Sequence, residues 1–178
     1  MKIKKHNDPW EYYEISEILN EKDFNIVEEY SSLYSVSEEK RHRNFVENHN
    51  LVYQIFKKVI VDFCNQIDFN TNGKYFLLEN SICGPKFKYN SIHQDNENKA
   101  LTMVFYLSES NLGTKLFRDN TTDSFVKYTN WVQNGAMAFV RTPETYHDFE
   151  SNDNLRKTFN LIVVNKKFVG VDVNYEPL

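Results

Sequence analysis

Arg156-Lys157-Thr158-Phe159-Asn160-Leu161-Ile162-Val163-Val164 is the stretch whose reading decides the fold. In an extended strand Arg156, Thr158 and Asn160 share one face, while Phe159, Leu161 and Val163 share the other. The second face is ready for a core. The first directs an arginine into the interior, where an unpaired charge is too costly to keep, so it needs an anion. No carboxylate stands at an obvious position in the sequence to serve it, and a ligand carboxylate is the natural partner.

Outward from this run, the chain from Lys74 on is a series of short β-rich segments. These are Tyr75 to Leu78, Phe87 to Ile92, Leu101 to Leu107, Lys115 to Arg118, Ser124 to Tyr128, Ala136 to Val140, His147 to Phe149, Leu155 to Val164 and Phe168 to Val173. Turn chemistry separates them at Ser110-Asn111-Leu112-Gly113, Asn134-Gly135 and Ser151-Asn152-Asp153-Asn154. Strands so short and so closely spaced predict a sandwich, a jelly roll or a small barrel. Before them, Trp10 to Leu19 reads as a short strand and Asp23 to Tyr34 as a helix. Ser37-Glu38-Glu39-Lys40 has the acids of a helix start, and Leu51 to Phe63 carries apolar residues at three- and four-residue steps. Helices first and strands afterwards make an α+β chain, mainly β.

The 178 residues fit one domain, and a chain of that size can bury about 70% of its unfolded surface without metal or disulfide staples. Any metal would therefore serve chemistry. A net charge of −4 argues against a nucleic-acid partner. The N-terminus lacks a secretory apolar segment, and no run approaches the ~18 apolar residues of a membrane span. Cys64 and Cys83 form no C-x-x-C pair, so reduced thiols in a cytoplasmic protein are expected.

With only five histidines, each can be weighed. His6 lies in a polar terminus, and His42 and His49 fall in expected solvated helix segments. His93 and His147 differ. His93-Gln94-Asp95 places an imidazole and a carboxylate on the same face of an extended segment, and His147 follows after several strands that can bring it back. Two imidazoles and one carboxylate form the facial triad that holds Fe(II) with positions left open. The imidazoles must be neutral to bind, so ligation should weaken below the free-histidine pKa of about 6.5.

At this point the sequence resembles the Fe(II)/2-oxoglutarate-dependent oxygenases, in their prolyl-hydroxylase-like branch. The resemblance rests on His93-Gln94-Asp95, Leu101 to Ser108, Gly113-Thr114-Lys115-Leu116, Asn134 to Phe139, His147 and Arg156, and runs from about Tyr13 to Val164. It implies a double-stranded β-helix, or jelly-roll, core over about 74–173 with supporting helices over about 21–68, all in one domain spanning 1–178. It implies iron ligation by His93, Asp95 and His147. Arg156, Tyr106 and Thr158 would bind 2-oxoglutarate, and an arginine at 156 resembles the oxygen-sensing prolyl hydroxylases. Gly113-Thr114 stands where a Gly-Gly pair is common in the family, and 96–100 is shorter than the loop many relatives carry.

The implied activity is hydroxylation of a C–H bond coupled to conversion of 2-oxoglutarate and O₂ to succinate and CO₂, with ascorbate as an optional reductant. A peptidyl proline is the first substrate class. A free amino acid or small metabolite is the second, and a jelly roll that binds metal or ligand without turnover is the competing non-enzyme. Tyr89, Asn90, Trp131 and Arg141 neighbour the strands bearing the histidines and are candidates for a substrate mouth. The partner is thus a peptide, protein or small-molecule substrate, with no membrane association expected.

Overall fold

The computed structural model describes residues 1–167 and 175–178. In chain order the elements are β1 (Lys2–His6), β2 (Tyr12–Ser16), α1 (Glu21–Ser32), β3 (Arg41–Phe45), α2 (Leu51–Gln66), β4 (Tyr75–Cys83), β5 (Lys99–Tyr106), β6 (Thr114–Phe117), β7 (Phe125–Tyr128), β8 (Gly135–Val140), β9 (His147–Phe149), β10 (Arg156–Val164) and β11 (Glu176–Pro177). Both helices start at an asparagine whose side chain accepts a backbone N–H of the first turn, Asn20 from Asp23 and Asn50 from Val52.

Among the described residues the strands form two antiparallel sheets. The larger runs β1-β2-β8-β5-β10-β4, with β3 and β11 sharing the outer edge of β4; the smaller runs β7-β6-β9. Neither closes into a barrel. The register sets out the face that matters in rows, because directly paired residues point the same way. Arg41, Cys83 and Arg156 form one row, and Arg43, Ser81, Thr158 and Tyr106 the next. Phe45, Glu79, Asn160 and Val104 follow, then Leu77, Ile162 and Thr102.

The alternate residues bury on the other face. Phe76, Leu78, Leu101, Met103, Phe105, Phe159, Leu161 and Val163 pack with Val52, Phe56, Val59, Ile60 and Phe63 of α2. Phe56 is the centre of this contact, its ring 5.0 Å from Phe105 and 4.9 Å from Phe159. Each such aromatic contributes about 1.5–3 kcal/mol by leaving water. On the first face, Leu116 of β6 joins Tyr12, Tyr106, Met137 and Phe139, which ties the smaller sheet to the larger.

Several sequence expectations change. Ser37 to Lys40 is a turn: Lys40 N–H bonds to Ser37 O, Glu39 takes a left-handed φ of 58°, and Glu38 pairs with Lys86. The five residues after it are β3, because the free edge of β4 offers a full ladder of backbone bonds that no isolated short helix can match. His42 therefore sits in a strand, its ring 5.0 Å from Tyr34, and His49 lies in the turn before α2. The polar N-terminus is a strand paired to β2. Phe87 to Ile92 is not a strand and makes a single isolated bridge, Lys88 to Glu150. The expected strand from Phe168 to Val173 lies outside the described residues. Cys64 and Cys83 are free and buried, and burial pushes the Cys64 thiol up to about 12. No helix among the described residues is long and apolar enough to cross a membrane.

Candidate metal centre and its cavity

The two histidines set apart by the sequence are held by each other's backbone. His93 N–H donates to His147 O at 3.0 Å, and His147 N–H donates to His93 O at 2.9 Å, an isolated antiparallel bridge. Their rings stand 4.4 Å apart, and the donor atoms of His93, Asp95 and His147 all lie within 4.8 Å of one another. Each Nδ1 contacts a backbone carbonyl: Ser91 O at 2.7 Å from His93, and Thr145 O at 3.0 Å from His147. A carbonyl can only accept, so Nδ1 carries the proton in both rings and Nε2 keeps its lone pair for a metal.

Asp95 is buried and doubly held, Oδ1 by Lys99 Nζ at 2.5 Å and Oδ2 by the Thr102 hydroxyl at 2.6 Å. Burial works to raise its pKa, but the Lys99 charge, His147 and these hydrogen bonds outweigh it and leave the carboxyl below its ordinary value. Burial pulls His147 down to about 4 against the attraction of Asp95. At neutral pH the set is a carboxylate with spare lone pairs beside a neutral imidazole whose Nε2 is free. Three such donors suit a divalent metal that must keep coordination positions open.

Arg156 shares this cavity, which has a volume of about 360 Å³. It is 3% exposed, and its buried Nε has no hydrogen-bond partner among the described residues. The neighbouring carboxylates are taken, Glu79 by Arg41 and Arg43, Asp95 by Lys99 and Glu150 by Lys115. The guanidinium lies against Phe149 at 4.9 Å and Trp131 at 5.3 Å. Burial lowers its pKa, but a guanidinium stays charged. A buried cation that faces the cavity with no ion-pair partner among the described residues fits a carboxylate ligand.

No protein-family model matches the chain, and no curated protein does. Solved structures do. A viral collagen prolyl hydroxylase from Paramecium bursaria Chlorella virus-1, in its 2-oxoglutarate complex, superposes with a TM-score of 0.65 at 12% identity, covering 90% of this chain and 99% of that one. A Trichoplax adhaerens prolyl hydroxylase bound to a hypoxia inducible factor peptide gives 0.61 at 13% identity, over 86% and 83% of the two chains. A Pseudomonas putida prolyl-4-hydroxylase gives 0.61 at 10% identity, over 87% and 92%. This is the prolyl-hydroxylase fold.

Within the prolyl-hydroxylase fold, the other residues singled out by sequence fall in different places. Tyr106 and Thr158 are buried one row from Arg156; the Tyr106 hydroxyl is 2.8 Å from Thr129 Oγ1, and Thr158 Oγ1 donates to Ser81 O at 3.3 Å. Tyr89 stands at the cavity rim, 39% exposed, its ring 5.3 Å from His93. Of the four mouth candidates it alone lines the cavity. Trp131 is a wall behind the arginine, stacked on Tyr106 at 4.3 Å with its indole N–H on Ser108 O. Arg141 Nε donates to the Asp95 carbonyl at 3.3 Å and so braces that residue's backbone. Asn90, at a left-handed φ of 54°, lines a separate groove with Phe125 and Tyr128. None of these three lines the cavity, since adjacency to a strand does not say which side a loop faces.

Lys99, Thr102, Phe149, Arg41, Arg43 and Glu79 line the same cavity and were not singled out. Thr102 was within reach of sequence reasoning, being a polar residue four before Tyr106 on the same strand face. Lys99, four after Asp95, also offered a signal. The other four depend on β3 pairing with β4 and on β9 folding back over the sheet.

Proposed function

We propose that the chain is a 2-oxoglutarate-dependent oxygenase that hydroxylates a C–H bond. The observation that carries this reading is one cavity holding both a three-donor metal set, His93, Asp95 and His147, and an arginine with no counter-ion among the described residues, Arg156. A protein that merely bound a metal would have no need of the second. The two antiparallel sheets with an apolar cluster between them are read as a double-stranded β-helix.

Fe(II) in the three-donor set would supply O₂-dependent oxidation coupled to loss of CO₂ from 2-oxoglutarate. The chain's own residues do the rest. Ser91 and Thr145 fix the imidazole tautomers, and Lys99 with Thr102 keeps Asp95 ionised and aimed. Arg156 binds the cosubstrate's remote carboxylate from three rows along the sheet, its position set by Phe149 and Trp131. Leu77, Val104, Phe139 and Ile162 make the intervening wall apolar and keep water out. A peptidyl proline is the first substrate class, supported by the prolyl hydroxylases that share the fold and by the peptide bound to one of them.

Anaerobic addition of Fe(II) and then 2-oxoglutarate should give a visible absorption band that requires both, and admission of O₂ should release succinate. His93→Ala should do neither. A wild-type chain that binds Fe(II) but yields no band and no succinate returns the reading to a binding protein.

A further inference from the structure

Arg156 has a second arginine on its own row. Arg41 and Arg156 both pair directly with Cys83, one from each side, so all three side chains point to the cavity face. Both guanidinium groups lie against Phe149, Arg41 at 4.8 Å and Arg156 at 4.9 Å from the ring centre. Arg41 also lies 5.8 Å from Tyr89, the residue at the rim. It therefore stands between the cosubstrate end and the opening.

Its own hydrogen bonds leave it underserved. Arg41 Nε donates to Ser81 Oγ at 3.0 Å, and its Nη2 reaches Glu79 only at 3.4 Å. Glu79 is meanwhile gripped by Arg43 through both Nε and Nη2, and it accepts from the Asn160 amide at 2.7 Å. One carboxylate is shared by two arginines, and Arg41 has the long contact. Its side chain is 15% exposed, so water compensates little of its charge.

Charge balance points the same way. The cavity is lined by Arg41, Arg43, Lys99 and Arg156 against Glu79 and Asp95. A divalent metal and the 2-oxoglutarate dianion cancel each other. An excess of two positive charges remains, beside the space left for the molecule to be oxidised.

We propose that Arg41 is a second carboxylate site in this cavity and takes an acid group of the prime substrate. This rests on the oxygenase reading above and specifies the substrate class for it. The acid can belong to a free small molecule or to an acidic side chain of a peptide; guanidinium recognition is the same for both.

The test uses the 178-residue chain loaded with Zn(II) as an inert metal and saturated with 2-oxoglutarate, with binding followed by calorimetry. Two probe pairs differ only in acid against amide: N-acetylproline with N-acetylprolinamide, and acetyl-Asp-Pro-amide with acetyl-Asn-Pro-amide. In at least one pair the acid should bind about tenfold or more tightly than its amide. The first pair responding assigns a free acid, the second an acidic peptide. Arg41→Gln should erase that preference while 2-oxoglutarate affinity changes less than about threefold, which also reports that the variant is folded; Arg41→Lys should restore part of it. Equal binding of acid and amide in both pairs, or a preference that survives Arg41→Gln, overturns the assignment. So does a loss of 2-oxoglutarate affinity in Arg41→Gln as large as the loss of acid binding, which would give Arg41 to the cosubstrate. A wild type that fails to bind 2-oxoglutarate at all fails the oxygenase reading first, and that titration precedes the others.

Discussion

Arg156 and His147 have their properties set by burial. Removing one partner of a buried charge pair costs roughly 3–5 kcal/mol, so Arg156→Ala should weaken 2-oxoglutarate binding by about 10²–10³-fold or more, read by titration of the metal-loaded chain. Near-normal affinity would mean that another group holds the cosubstrate. His147 gives a pH dependence whose sign follows from linkage. Its imidazole takes a proton near pH 6.5 in the unfolded chain but only at about 4 in the folded one. Between those values the unfolded state binds more protons, so the metal-free protein loses stability as pH falls from about 6.5 to about 4. The loss is on the order of 3 kcal/mol at the bottom of that window. Urea unfolding at pH 7, 5.5 and 4 should show it, and His147→Asn should flatten it; equal slopes in both proteins would contradict the assignment. The sequence alone places this change at the free-histidine value, because burial is not written in a single residue.

At the scale of elements, the strand alternation in β5 and β10 was legible from side-chain chemistry. Leu101, Met103, Phe105, Phe159, Leu161 and Val163 face the helices, while Thr102, Tyr106, Arg156 and Thr158 lie on the cavity face. The α2 stripe was equally legible. β3 was not, since Arg41-His42-Arg43-Asn44-Phe45 has no apolar alternation and gains its structure from the edge of β4. The Gly113 turn carries a sharper constraint than its sequence suggests. A Cβ there would sit 1.9 Å from Thr129 O and 2.6 Å from Thr129 Oγ1, the hydroxyl that meets Tyr106. Gly113→Ala should therefore cost about 1–3 kcal/mol or more in thermal unfolding. It should also weaken 2-oxoglutarate binding, because Tyr106 backs the Arg156 end of the cavity. An alanine variant with unchanged melting temperature and affinity would show that Thr129 can move freely.

For the whole molecule, metal binding and folding are coupled because His93 and Asp95 lie in one segment and His147 in a distant one, so the full set meets only in the native state. Metal at about 100 times its dissociation constant should add about 2.7 kcal/mol of stability. For a chain of this length that is a rise of roughly 5–10 °C in melting temperature, and His93→Ala should show little of it. A comparable rise in that variant would place the metal elsewhere. The chain alone made legible the mainly β class, the α2 stripe and the alternation of β10, which follow from side-chain periodicity, and it marked His93-Gln94-Asp95 and Arg156 by their chemistry; His147 joined them through the family resemblance. Only the tertiary structure decided that β3 covers the edge of β4, that Asn90, Trp131 and Arg141 do not line the cavity, and that Arg41 shares it with Arg156. Those depend on which strand edges pair and which way loops face, and backbone hydrogen bonding between distant segments settles both.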